Sequence, residues 1–164
     1  PYFSSVGITR YAASMVALVL PVATISGRLS SGWLADRFGS RQVFVASTLL
    51  VSVGMLFFAY VNTERMWLLL PFIITFSLGW GFGNTTRLSL LRECFGRGSF
   101  GKILGFMSGI AMLGNMAGAP LAGWVFDTWG SYQGVWLGYS VLVLAGTVLA
   151  FTIPSPSTSI PRPN

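Results

Sequence analysis

Long apolar runs alternate with short polar ones along the 164 residues. A hydrocarbon core of ~30 Å takes about 20 helical residues to cross. Five runs reach that length, at 11–35, 42–61, 66–90, 103–126 and 132–153. The second, fourth and fifth hold no charge, the first holds Arg28 and the third holds Arg87. The runs are continuous and lack the ~10-residue alternation of a membrane barrel. Backbone in lipid must satisfy its own hydrogen bonds. The pattern therefore predicts an all-α integral membrane protein with five transmembrane helices over 11–153, a loop at 1–10 and a tail at 154–164. That tail is rich in Pro and Ser and is predicted to be disordered.

The polar breaks carry an orientation signal. Arg37 and Arg41 lie in the first, with Asp36; Arg65 is the one base of the second, with Glu64. The third has Arg92, Arg97 and Lys102 with Glu93, and the fourth has Asp127 and no base. Bases concentrate on the cytoplasmic side, so the first and third breaks are expected inside. The N-terminus is then outside and the C-terminus in the cytoplasm, in a plasma (bacterial inner) membrane.

Composition narrows the function classes. Only 9% of residues are charged, against about 25% in a soluble domain. The net charge of +6 sits in short clusters between apolar runs, with no basic stripe to hold nucleic acid. The chain has one cysteine, Cys94, and no histidine. That leaves no internal disulfide, no His-based triad and no His metal ligand. No metal or cofactor is implied. With no paired acids inside a span either, a membrane enzyme is not the expected reading. The expected contacts are membrane lipid and a small-molecule solute. The chain opens on Pro1 and is read as a piece of a longer protein.

One polar break recurs. Gly32-Trp33-Leu34-Ala35-Asp36-Arg37-Phe38-Gly39-Ser40 is followed 91 positions later by Gly123-Trp124-Val125-Phe126-Asp127-Thr128-Trp129-Gly130-Ser131. Gly27 with Gly118 and Gln42 with Gln133 extend the register. Each copy closes one apolar run and opens the next. The charge rule puts the copies on opposite faces, so the repeated units are expected to be inverted relative to each other. Inverted three-helix repeats nested in six-helix halves are known in secondary transporters.

The first copy, Gly32-x-x-x-Asp36-Arg37-x-Gly39-x-Arg41, resembles the signature loop of the major facilitator superfamily, which joins helices 2 and 3 and, more loosely, helices 8 and 9. Glu93-x-Phe95-Gly96-Arg97-x-x-x-Gly101-x-x-x-Gly105 looks like that family's loop between helices 10 and 11. Gly118-x-Pro120-x-x-Gly123-x-x-x-Asp127-x-x-Gly130-Ser131-Tyr132 looks like its end of helix 11. The three stand in the family's order and cover nearly the whole chain. The resemblance implies helices 8 to 12 of a C-terminal six-helix bundle, with inverted-repeat remnants and an N-terminal half elsewhere. It implies movement of a solute across a membrane by alternating access. Within the family, the monocarboxylate-transporter-like and oxalate/formate-antiporter-like branches are the most similar. They place a substrate-binding Arg in helix 8 where this chain has Arg28, eight residues before Asp36. An Asp one turn before that Arg in proton-coupled members is Thr24 here.

Candidate residues follow. Eight residues put Arg28 ~12 Å along its helix from Asp36, deep in the span. An intramembrane Arg is costly without a partner, and a carboxylate solute would meet it with two parallel hydrogen bonds. The alternatives are a structural partner or snorkeling toward the inner face. Arg87 is either a second anion-binding cation or a snorkeling residue. The stretch Gly79-x-Gly81-x-Gly83-Asn84 before it reads as close packing or a flexible gate. Asn84 and Asn115 are further polar candidates for the solute path. Gly32, Asp36, Arg37, Gly39 and Arg41 are read as a gating loop, an Asp being favoured at a positive helix end. Gly101, Gly105 and Gly109, and Gly114, Gly118 and Ala122, read as small faces for close helix packing. All four acids fall at predicted span boundaries, so no proton-relay carboxylate lies mid-membrane. The solute reading is an organic anion such as a monocarboxylate. The alternatives are a sugar, drug or other neutral or cationic solute, or a truncated product that transports nothing.

Overall fold

The structure, a computed structural model, describes residues 10–152. Residues 1–9 and the predicted disordered tail at 154–164 lie outside the described residues. Helix α1 runs Arg10–Phe38 and α2 runs Ser40–Ala59. A 3-10 turn at Thr63–Leu68 leads into α3, Leu69–Trp129, and α4 is Gln133–Thr152. Five helical segments among the described residues are long and apolar enough to cross a membrane, because α3 supplies two of them.

The third polar break was expected to be a loop and is helix. A straight helix of 61 residues would be ~90 Å long, about three hydrocarbon thicknesses. Gly96 divides it, with φ 67° and ψ −179°. That conformation suits a residue with no Cβ. The two spans are Glu64–Gly96 and Gly98–Trp129. Arg92, Glu93 and Lys102 mark a boundary by charge, yet all three are good helix formers. The Arg92 guanidinium reaches over the break to lie 5.0 Å from the Phe100 ring centre.

Helix packing follows membrane rules rather than those of an apolar core in water. Lipid tails are as apolar as Leu, so close approach and hydrogen bonds hold helices together. The side chains with almost no exposure are all Ser or Thr: Ser31, Ser47, Ser52, Ser77, Thr86, Ser140 and Thr147. Several donate to a carbonyl one turn back, such as Thr86 to Phe82 (2.6 Å) and Thr147 to Val143 (2.9 Å). Ser52 of α2 and Ser140 of α4 instead bond each other. Each hydroxyl donates to the other's carbonyl, at 3.0 and 3.1 Å. Ser52→Ala should lower the unfolding free energy by about 0.6 kcal/mol, the mean of interhelical bonds in a membrane bundle. Ser140→Ala on top of it should add less than it does alone; additive losses in denaturant unfolding would show the pair is not coupled.

Glycines set the closest approaches. A Cβ on Gly81 would lie 2.8 Å from the Thr24 carbonyl oxygen, so α1 and α3 cross there. A Cβ on Gly79 would lie 2.7 Å from the Ser47 carbonyl oxygen of α2. The Gly-rich stretch of α3 is therefore close packing on two sides. The predicted small faces at Gly101, Gly105, Gly109 and Gly114 differ: an added Cβ there meets nothing within 4 Å. The span Gly98–Trp129 buries none of its most apolar window against the described residues. Its contacts gather near its C-terminal end, where Phe126 stacks on Tyr132 at 4.4 Å.

Aromatic packing closes one end of the bundle. Phe58 stacks on Phe72 at 4.4 Å and meets the Trp136 ring edge-on at 4.8 Å. Val16, Val61, Leu68 and Leu69 complete that cluster.

Candidate functional site

The repeated segments each form a joint closed by a glycine at positive φ. In the first, α1 ends at Phe38 and Gly39 takes φ 86°. In the second, α3 ends at Trp129 and Gly130 takes φ 65°. In each, the glycine N–H donates at 2.8 Å to the carbonyl four residues back, Ala35 or Phe126. Each glycine satisfies one of the helix's orphan carbonyls at a positive φ that favours a residue with no Cβ, which is why Gly recurs in register. Ser131 Oγ then accepts from the Gln133 N–H at the start of α4.

The joints sit at opposite ends of the bundle. Gly130, Ser131 and Gln133 share a cavity of about 380 Å³ with Tyr60, Asn62 and Arg65. The first joint instead meets the far end of α3's first span and the end of α4. There Ser40 Oγ donates to Glu93 Oε1 at 2.5 Å, and Arg41 Nη2 donates to the Phe151 carbonyl. The two repeated units are thus inverted.

At the first joint the bonds between segments run through Ser40 and Arg41. Arg37 lies over its neighbours Trp33 and Phe38, 5.6 and 5.9 Å from their ring centres. Asp36 is exposed and has no hydrogen-bond partner among the described residues. Gly32 is exposed, and an added Cβ there meets nothing within 4 Å. Ser40 was not singled out from sequence. Its signal was the recurrence with Ser131, and its partner Glu93 lies 53 residues away.

The four polar candidates, Arg28, Asn84, Arg87 and Asn115, fall in three places. Arg28 is exposed on α1, beside the Gly27–Gly81 crossing, on a face with Ala17, Pro21, Thr24 and Gly32 at helical spacing. Its guanidinium has no hydrogen-bond partner among the described residues, and Thr24 Oγ1 turns back to the Leu20 carbonyl at 2.8 Å. Asn84 and Arg87 line a groove of about 250 Å³ between α2, α3 and α4. Asn84 Nδ2 donates to the Trp80 carbonyl at 3.0 Å. Asn115 is exposed on Gly98–Trp129 and makes no hydrogen bond with the described residues. The fold thus joins Asn84 to Arg87 and brings neither to Arg28.

Apolar helices of membrane length, built as an inverted repeat about two glycine joints, define an integral membrane bundle of the secondary-transporter type. The sequence model of the Major Facilitator Superfamily matches residues 1–164, and the chain belongs to that family. It is 28% identical to Monocarboxylate transporter 12 of Rattus norvegicus over 151 residues, 91% of this chain and 31% of that protein. It is 29% identical to Monocarboxylate transporter 13 of Bos taurus over 144 residues, 84% of this chain and 33% of that protein. It is 29% identical to Multidrug resistance protein B homolog of Mycobacterium tuberculosis (strain CDC 1551 / Oshkosh) over 149 residues, 88% of this chain and 27% of that protein. The chain spans about a third of the length of these relatives. No solved structure matches it.

Proposed function

We propose that this chain is helices 8 to 12 of a carrier that moves a small organic anion, a monocarboxylate, across the plasma membrane by alternating access. The observation that carries the reading is Arg28: a cation deep in a membrane span, exposed, and without a hydrogen-bond partner among the described residues. A charge at that depth needs an anion or water beside it. A planar guanidinium binds a carboxylate through two bonds. The small side chains around it leave room for a solute, and the N-terminal half of the carrier would form the opposite wall. Two relatives named monocarboxylate transporters match most of the chain.

In this reading the Ser40–Glu93 and Arg41–Phe151 bonds hold the cytoplasmic end closed, and inward opening breaks them. The N-terminal end of the chain faces outside and its C-terminus the cytoplasm. The four acids all lie at or near span ends. Proton coupling would then use residues of the other half, or the carrier works as an exchanger or uniporter. A neutral or cationic solute is the second reading, favoured by the equally similar multidrug resistance homologue. Uptake of a panel of labelled solutes by the intact protein in proteoliposomes separates them. Monocarboxylates are expected to be carried. Uptake confined to neutral or cationic solutes overturns the anion reading and leaves the family assignment standing.

A further inference from the structure

Arg87 is a second cation set back from the ends of its span, and its surroundings differ from those of Arg28. Gly83 and Arg87 are one helical turn apart, and Gly83 faces Ser47 of α2, whose hydroxyl lies 3.1 Å from a Cβ built on Gly83. Arg87 therefore projects toward α2 and α4, away from the α1 crossing at Gly81. It lines the groove of about 250 Å³ with Phe44, Thr48, Val51 and Val143. Its Nε is buried and has no hydrogen-bond partner among the described residues. A buried donor on a charged group without an acceptor is costly.

Among the described residues the groove has no counter-ion of its own. None of its lining residues is acidic, and Glu93, the nearest acid along α3, accepts from Ser40. Ser47 and Thr48 donate their hydroxyl protons to α2 carbonyls. Asn84 donates to the Trp80 carbonyl, the rest of the lining is apolar or glycine, and Trp80 on this flank is exposed. On a membrane-spanning bundle that flank touches hydrocarbon. Arg87 stands six residues, ~9 Å, before Glu93 at the charged end of its span. A guanidinium on its long stem reaches from there toward the headgroup layer.

We propose that this groove binds a phospholipid of net negative charge, with the phosphate on the Arg87 guanidinium and an acyl chain along Phe44, Val51 and Val143. Phosphate supplies the acceptor that Nε lacks, in the geometry Arg favours. The chain covers apolar surface that faces the bilayer. The lipid bridges α2, α3 and α4, the same helices joined by the serine pair and the glycine contacts, and so steadies them while α1 moves with the solute. This goes beyond the transport reading and does not depend on which solute is carried.

The test is native mass spectrometry of the detergent-solubilised intact protein titrated with dioleoyl phosphatidylglycerol. Dioleoyl phosphatidylcholine and inorganic phosphate serve as separate probes. One phosphatidylglycerol is expected to bind with an affinity that Arg87→Gln lowers about tenfold, equivalent to about 1.4 kcal/mol. Arg87→Lys should fall between. Val143→Phe, which fills the groove and leaves the cation in place, should weaken the same lipid. Arg65→Gln at the other end should not change it, and inorganic phosphate should not displace it. Unchanged phosphatidylglycerol binding in both Arg87→Gln and Val143→Phe overturns the proposal. So does equal affinity for phosphatidylcholine, or displacement by millimolar phosphate, which would make the site one for a free anion. If Arg87→Gln fails to fold, Val143→Phe decides alone.

Discussion

Arg28→Ala is expected to lower monocarboxylate uptake by about 30- to 1000-fold, the consequence of removing one partner of a desolvated, hydrogen-bonded charge pair worth roughly 2–4 kcal/mol. Expression and thermal stability should stay near wild type, because the guanidinium is exposed and makes no hydrogen bond with the described residues. Arg28→Lys keeps the charge but loses the planar two-pronged donor, so its uptake should fall between the two. The ordering arginine, lysine, alanine separates recognition of a carboxylate from simple cancellation of charge. Equal uptake in all three proteins would assign Arg28 a structural role and return the solute question to the second reading.

Gly81→Leu should remove the folded carrier altogether. Even the Cβ would lie 2.8 Å from the Thr24 carbonyl oxygen and 3.0 Å from the Arg28 backbone nitrogen. Both are backbone atoms, so only separation of α1 from α3 relieves the clash. Overpacking commonly costs 1–3 kcal/mol, and a whole side chain at a helix crossing should exceed about 3 kcal/mol. Detergent size-exclusion traces should show aggregate in place of a single peak. Gly81→Ala is the more informative variant: it should fold, with α1 pushed outward and Arg28 displaced, and lose uptake out of proportion to its stability. Gly138→Ala on α4, where an added Cβ meets nothing within 4 Å, is the control and should match wild type. Normal folding of Gly81→Leu would contradict the crossing described here.

The five spans were legible because hydrocarbon thickness and backbone hydrogen bonding leave a long apolar run few alternatives to a helix. The inverted repeat was legible because both joints need a glycine at positive φ, Gly39 and Gly130. What misled was the polar stretch around Gly96. Charges there report the depth of the membrane surface, whereas only one residue breaks the helix. The small-residue faces were legible only in part: spacing shows that a helix can approach a neighbour, not which face has one. Gly27, Gly79, Gly81 and Gly118 have neighbours among the described residues, and Gly101, Gly105 and Gly109 have none within 4 Å of an added Cβ. In the site, Arg28 stood out because charge inside an apolar run is expensive. The Ser40–Glu93 bond did not, since a hydroxyl and a carboxylate 53 residues apart carry no local pattern. Arg87 was visible as a charge, while its separation from Arg28 needed the facing of Gly83 toward α2.

The central claim is that the Arg28 face of α1 lines the solute path. Thr24 stands one turn from Arg28 on that face and is half-buried. The most direct measurement is the reaction rate of Thr24→Cys with a membrane-impermeant thiol reagent, in the intact protein with its other cysteines, Cys94 among them, changed to serine. The rate is taken from each side of the membrane, with and without a monocarboxylate. Reaction from both sides, slowed by the carboxylate, is the predicted result. A cysteine that reacts from neither side, or at a rate no carboxylate changes, would contradict the account.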